Sequence, residues 1–317
     1  MDFGISLPTR GDLATRTDIE TLAKRAEALG FAYVTISDHI VIPRQVAPEY
    51  PYAADGRLVS PVNWLEQLTV MAWVAAVTEK LRLLTSVMVV PHRIPVHTAK
   101  ILATIDVLSG GRVTLGCGAG WMREEFDAIG TEPFDERGKV TDEYIEVFRE
   151  LWTAPEPAFA GDYVNFKDIY FEPKPVQPGG IPVWIGGESG PALRRAATLG
   201  DGWYPIGANP KFPLATAALY GAAAKKLESL AEAAGRDPAG IDRIFVANWP
   251  ATGGPFALPS GERFLCTGAP EQVAQDIDTL AGLGVRHMMF NFLAPSLEES
   301  LERTEHFAKE VMPKVSV

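Results

Sequence analysis

The sequence predicts an α/β protein built as a closed (β/α)8 TIM barrel. Strand-like runs alternate with amphipathic helical patterns through most of the chain, and the series reaches eight of each without interruption. An open doubly wound sheet would more often hold fewer strands and an early glycine-rich crossover, which is missing here. At 317 residues, a single barrel domain over 1–317 accommodates the whole series.

The first strand is "FGISLP". The helix after it, "TDIETLAKRAEALG", carries Thr17 as the expected N-cap, Leu22, Ala26 and Leu29 on one face, and Gly30 as its stop. "FAYVTIS" is the second strand. It runs into Ser37, Asp38 and His39 and then into a stretch to Asn63 carrying Pro43, Pro48, Pro51 and Pro61, too long for an ordinary βα loop. The helix "WLEQLTVMAWVAAVTEK" and strand "LRLLTSVMVV" form the third unit, followed by the helix "VHTAKILATIDVLSGG" and strand "RVTLGCG". A helix from Glu136 to Trp152 closes the first half. Residues 153–181, rich in proline, read as an insertion. The pattern resumes with "PVWIGG", "GPALRRAATLG", "DGWYP", "FPLATAALYGAAAKKLESLAEAAG", "DRIFVANWP", "PEQVAQDIDTLAGLG", "VRHMMFNF" and "SLEESLERTEHFAKEVM". Insertions are expected after strands 2, 4 and 7.

Composition narrows the function classes. With 40 Asp and Glu against 29 Lys and Arg and no basic run, a nucleic-acid or anionic-membrane surface is not expected. Only two cysteines occur, without CxxC spacing, so neither a disulfide framework nor a zinc site is suggested. The N-terminus enters a strand pattern at once, no apolar run approaches a membrane span, and a cytoplasmic protein is expected. The apolar character of "WLEQLTVMAWVAAV" on more than one helix face suits a homodimer surface or deeper burial.

In a (β/α)8 barrel, chemistry sits at the carboxyl ends of the strands. That places Asp38 and His39 at the mouth, where the carboxylate could fix the imidazole or simply cap the turn. "RVTLGCGAGW" puts glycines at 116, 118 and 120 where the fourth strand ends, suited either to close approach of a flat ligand or to a tight turn. "VWIGGESG" repeats the device, with Gly186, Gly187, Glu188 and Ser189 leading into a helix whose free amides could bind phosphate. "LLTSVMVVPHRIPVHTAK" sets Thr85 and Ser86 inside an apolar strand. The cations that follow it, His92, Arg93, His97 and Lys100, either attract an anionic cofactor or form an ordinary polar face. Neither glycine run matches a dinucleotide or Walker fingerprint, no HExxH or GxSxG occurs, and Glu124 with Glu125 reads as a helix face.

Taken together, "FGISLP", "EALGFAYVTISDHIVIP", "AAVTEKLRLLTSVMVVPHRIPVHTAKILATIDVLSGGRVTLGCGAGWMREEF", "PVWIGGES" with "RRAATLGDGWYP", and "GAPEQVAQDIDTLAGLGVRHMMF" resemble the bacterial luciferase-like flavin- and deazaflavin-dependent oxidoreductases. "SDH", "DVLSGGR" and "GAGWMREEF" are most similar to the branch using coenzyme F420, a 5-deazaflavin. The resemblance implies hydride transfer between F420 and a small organic substrate, with His39 beside the reacting ring and Asp38 next to it. It implies a non-prolyl cis peptide at Ser86 and Val87, a ring and side-chain path along Gly118, Ala119, Gly120 and Trp121, and phosphate at Gly186, Gly187, Glu188 and Ser189. Tyr50, Tyr52 and Trp64 would belong to a substrate lid. Trp121 and Pro43 stand where the branch's glucose-6-phosphate dehydrogenases carry a glutamate and a tryptophan, which argues against that sugar chemistry. An FMN-dependent monooxygenase, or a flavin-binding protein without turnover, is the alternative.

Overall fold

The computed structural model describes residues 1–46, 63–247, 257–258 and 260–317. Pro48, Tyr50, Pro51, Tyr52 and Pro61 lie outside the described residues. Eight parallel strands close on themselves: β1 (Asp2–Ser6), β2 (Tyr33–Ile36), β3 (Arg82–Thr85), β4 (Val113–Gly118), β5 (Val183–Gly186), β6 (Gly202–Tyr204), β7 (Asp242–Ala247) and β8 (Val285–Phe290). Each pairs with its successor, and β8 returns to β1 with Phe3 opposite Met288 and Ile5 opposite Phe290. The predicted (β/α)8 barrel is therefore the fold.

Alternation along each strand divides the core. Phe3, Ile5, Val34, Ile36, Val183 and Ile185 face the helices, while Tyr33, Leu84, Trp184, Tyr204, Ile244 and Met289 pack together inside the barrel. Both faces are buried, which is why these strands read as nearly continuous apolar runs. At the carboxyl ends the inward positions turn polar, with Ser6, Thr35 and Asn291 above the apolar plug.

The outer helices are α1 (Arg16–Ala28), α2 (Gln67–Val77), α3 (Pro95–Ser109), α4 (Arg123–Ile129), α5 (Arg137–Thr153), α6 (Gly190–Leu199), α7 (Ala217–Ala233), α8 (Pro270–Gly282) and α9 (Leu297–His306). α1 starts earlier than expected: its N-cap is Thr15, whose side chain accepts from the Asp18 amide, and Thr17 lies inside the first turn. α4 is an extra element in the loop after β4. The 153–181 insertion holds a two-stranded hairpin (Phe159–Ala160 with Asn165–Phe166). Asp106 ties this insertion to the barrel, accepting from the Val176 and Gln177 amides and from Gln177 Nε2.

The "SGGR" run is scaffold. Gly110, at φ 69°, caps α3 in the left-handed region, and buried Arg112 donates to the Ala75, Thr78 and Leu81 carbonyls, which closes the end of α2.

β3 does not run straight into the next two ladder residues. Leu84 pairs with Thr114, and pairing resumes at Met88 with Cys117, so three residues of one segment oppose two of the other. The extra residue sits at the Ser86–Val87 cis peptide. Thr85, unexpected in an apolar strand, fills the missing ladder contacts: Gly116 N donates to its hydroxyl at 2.8 Å, and the hydroxyl donates to Gly116 O at 2.9 Å.

Candidate active site

A cavity of about 580 Å³ opens at the carboxyl ends of the strands. It gathers residues from nearly every βα loop, including Asp38, His39, Ser86, Val87, Gly118, Ala119, Gly120, Trp121, Gly186, Gly187 and Ser189. Among the described residues expected to meet the reacting ring, its side chain and the phosphate, Glu188 alone does not line it.

His39 is oriented from across the barrel mouth. Its Nδ1 lies 2.7 Å from Glu125 Oε2, while Oε1 of the same carboxylate accepts the Ile40 and Val41 amides at 2.8 and 3.2 Å. Glu125 is 1% exposed. Burial pushes its carboxyl upward, but the His39 hydrogen bond, the neighbouring histidines and the Ile40 amide outweigh that and hold it below the usual carboxylate range. An ionised carboxylate only accepts, so Nδ1 carries the hydrogen and Nε2 is the nitrogen left to exchange a proton. The edge of the imidazole meets Trp64, with centroids 4.5 Å apart.

This corrects two sequence expectations. Glu125 is not a solvated helix face but the group that fixes His39, 86 residues away in sequence. Asp38 does not orient the imidazole. Its oxygens are taken by a bidentate pair with Arg93, both contacts 2.7 Å, and by the Val89 amide at 2.9 Å. It therefore clamps the segment after the Ser86–Val87 bulge, a positioning role with no oxygen to spare for proton transfer.

The cations after β3 do not converge on the cavity. Arg93 is held by Asp38 and Glu66. His92 is buried edge-on against Phe126, and burial pushes its imidazole down. His97 is exposed on α3, and Lys100 donates to the Glu172 carbonyl. Positive charge enters from residues that the sequence did not single out. Arg195 pairs with Asp142 and donates to the Gly138 carbonyl at 2.9 Å; Arg137 donates to the Gly120 carbonyl at 3.2 Å. Both line the cavity beside the N-terminus of α6, where Ser189 is the N-cap. Helix dipole and guanidinium charge there suit an anion. Glu188 does not contribute to that anion end. Its oxygens accept from the Ile206 amide and Asn209 Nδ2, both at 2.6 Å, and burial raises its carboxyl.

The glycines answer a different need from the one the sequence suggested. A Cβ on Gly116 would stand 2.0 Å from the Thr85 carbonyl oxygen, and Cβ atoms on Gly118 and Gly186 would stand 2.6 and 2.9 Å from the Val87 methyls. They make room for the β3 bulge, which projects Val87 into the cavity wall. Ser86 Oγ lies 2.8 Å from the buried Tyr204 hydroxyl and anchors the bulge on the opposite side. A smooth apolar wall at Val87, an anion-compatible end at Ser189 and Arg195, and a histidine between cavity and core fit a flat aromatic cofactor with a phosphate-bearing chain.

Comparison with known proteins agrees with this architecture. An uncharacterised protein of Mycobacterium tuberculosis (strain ATCC 25618 / H37Rv) is 38% identical over 191 residues, 60% of this chain; the match spans 65% of that relative's own length. The FMNH(2)-dependent dimethylsulfone monooxygenase of Pseudomonas putida is 29% identical over 93% of this chain and 86% of its own. The coenzyme F420-dependent tetrahydromethanopterin reductase of Methanopyrus kandleri superimposes with a TM-score of 0.73 over 98% of both chains, at 22% identity. Residues 1–252 match the luciferase-like monooxygenase profile, so the chain belongs to that family.

Proposed function

We propose that the protein is an oxidoreductase that transfers a hydride between coenzyme F420 and a small organic substrate. The observation that carries this reading is His39, pinned through Nδ1 by Glu125 and facing the cavity beside the Ser86–Val87 bulge. The deazaflavin, when bound, supplies the hydride chemistry. Val87, with Gly118 to Trp121 on one flank, would support its ring, and Gly186, Gly187, Ser189 and Arg195 would hold its phosphate. Nε2 of His39 delivers or accepts the proton that accompanies the hydride, and the Glu125 carboxylate holds the ring in the tautomer that leaves Nε2 available. Trp64 against the imidazole keeps water from the reacting face.

The Pseudomonas relative supports a second reading, an FMN-dependent monooxygenase, since its match runs nearly the length of both chains. Equilibrium titration of the purified protein with F420 and FMN side by side separates them. Micromolar or tighter F420 binding, on the order of 8 kcal/mol, with weaker FMN binding supports the first reading. The reverse order, with oxygen consumption on supplying reduced FMN, overturns it. In the His39→Ala variant, cofactor affinity should stay within about threefold while single turnover slows by about 100-fold or more. Unchanged turnover removes the role assigned to His39.

A further inference from the structure

Arg10 lies at the rim of the same cavity, in the loop that follows β1. Unlike the other charged groups of the lining, it has neither a carboxylate partner nor a hydrogen bond from its side chain among the described residues; Arg137, which also lacks a carboxylate partner, is held by the Gly120 and Phe134 carbonyls. Asp38 is paired with Arg93, Glu125 with His39, Asp135 with Arg123, and Arg195 with Asp142. Among the described residues, no carboxylate pairs with Arg10 and no hydrogen bond from its guanidinium is made. Arg10 is exposed at the cavity rim of a chain with a net charge of −11, so its guanidinium is open to an anion entering from solvent.

Nor is it a loose surface side chain. The backbone of residues 9–11 is bridged to residues 63–65: Leu65 N donates to Thr9 O at 3.0 Å, Gly11 N to Asn63 O at 3.3 Å, and Asn63 Nδ2 to Gly11 O at 2.8 Å. The guanidinium then lies over the Trp64 ring, 4.8 Å from its centroid. Trp64 thus touches Arg10 and His39 both, and the two centroid distances limit the gap between guanidinium and imidazole to one that a chain of a few carbons spans. Asn291 lines the same cavity. Its Oδ1 accepts the Leu293 amide at 3.1 Å, which leaves Nδ2 to donate.

We infer that the substrate carries a carboxylate a few carbons from its reacting centre, and that Arg10 is the residue that recognises it. The inference rests on the placement of the reacting centre at His39 in the function proposed above. The planar guanidinium fork matches a carboxylate bidentately, and the backbone bridge and the indole have already ordered the side chain, so less entropy is lost on binding. Asn291 Nδ2 supplies a further neutral donor.

The test is a calorimetric titration with a matched pair of probes, 4-oxopentanoate and pentan-2-one, which differ in the carboxylate. The protein is used alone and saturated with F420 or with FMN, and binding is read without turnover. The wild type should bind 4-oxopentanoate about tenfold or more tightly over pentan-2-one in at least one form. Arg10→Met, which keeps the stem on Trp64 and removes the charge, should abolish that preference, and Arg10→Lys should keep part of it. Absence of 4-oxopentanoate binding, equal binding of the two probes, or a preference that survives in Arg10→Met overturns the assignment. A loss of cofactor affinity in Arg10→Met with probe preference unchanged means the guanidinium holds the cofactor's own acid groups, and likewise overturns it. Failure of the F420 reading would appear instead as absent F420 binding, with the probe preference intact.

Discussion

Replacing Glu125 with glutamine changes one atom of a carboxylate that accepts three hydrogen bonds. The amide oxygen can keep the Ile40 and Val41 amides, because both reach the same oxygen, Oε1. The NH2 group then faces His39 Nδ1 across 2.7 Å, donor against donor. The imidazole must turn away or move its hydrogen to Nε2. Losing one hydrogen bond to a charged acceptor costs about 1.5–3 kcal/mol, which corresponds to a fall of roughly 10- to 150-fold if the whole amount is felt in the proton-transfer step. Stability should fall by a similar amount, about 2 kcal/mol at neutral pH.

The pH dependence gives this prediction a sign. The Glu125 carboxyl is held below its usual range in the folded protein. Its stabilisation is therefore complete above the carboxyl's unfolded pKa and is lost as pH falls through the folded one. Glutamine does not titrate, so the gap between wild type and Glu125→Gln should be widest near neutrality and close in acid. Urea unfolding at several pH values measures the gap, and 15N NMR of the imidazole reports which nitrogen carries the hydrogen. Equal stability at neutral pH, a gap that does not narrow in acid, or an imidazole unchanged in both tautomer and orientation would refute the reasoning.

Other consequences follow from the bulge and its clamp. Gly116→Ala drives a methyl to 2.0 Å from the Thr85 carbonyl oxygen, a backbone atom that cannot swing aside, and should cost about 3 kcal/mol or more in urea unfolding; an unchanged midpoint contradicts the close approach. Arg93→Gln leaves the Asp38 carboxylate, whose side chain is fully buried, without its cation and should cost about 3 kcal/mol. Adding Asp38→Asn should return part of that loss, and strictly additive losses would show that the two side chains are not coupled.

Much of the scaffold was legible because its signals are local. The nearly continuous burial of "VWIG" and "YVTI" and the helical period of "TDIETLAKRAEALG" each report the environment of a few neighbouring residues. The polar ends of the strands pointed to the mouth of the barrel for the same reason. Chemistry-bearing residue types were harder to weigh. "EE" at 124–125 looks like any exposed helix start, and nothing within its own helix marks Glu125 as buried. Arg93 looked like a free cation because its partner, Asp38, lies 55 residues earlier.

The sequence by itself determined the eight βα units, the family resemblance and the end of the barrel where His39, Ser86 and Gly118 gather, since periodicity and strand termini are properties of short stretches. Only the tertiary structure decided which charges meet. Closure of the barrel brings residue 39 to residue 125 and residue 10 to residue 64, pairs Asp38 with Arg93 instead of His39, and turns Glu188 away from the cavity toward Ile206 and Asn209. Ion pairs and hydrogen bonds act over a few ångströms in space whatever the separation along the chain, so the role of each acid and base is set by the partner the fold delivers.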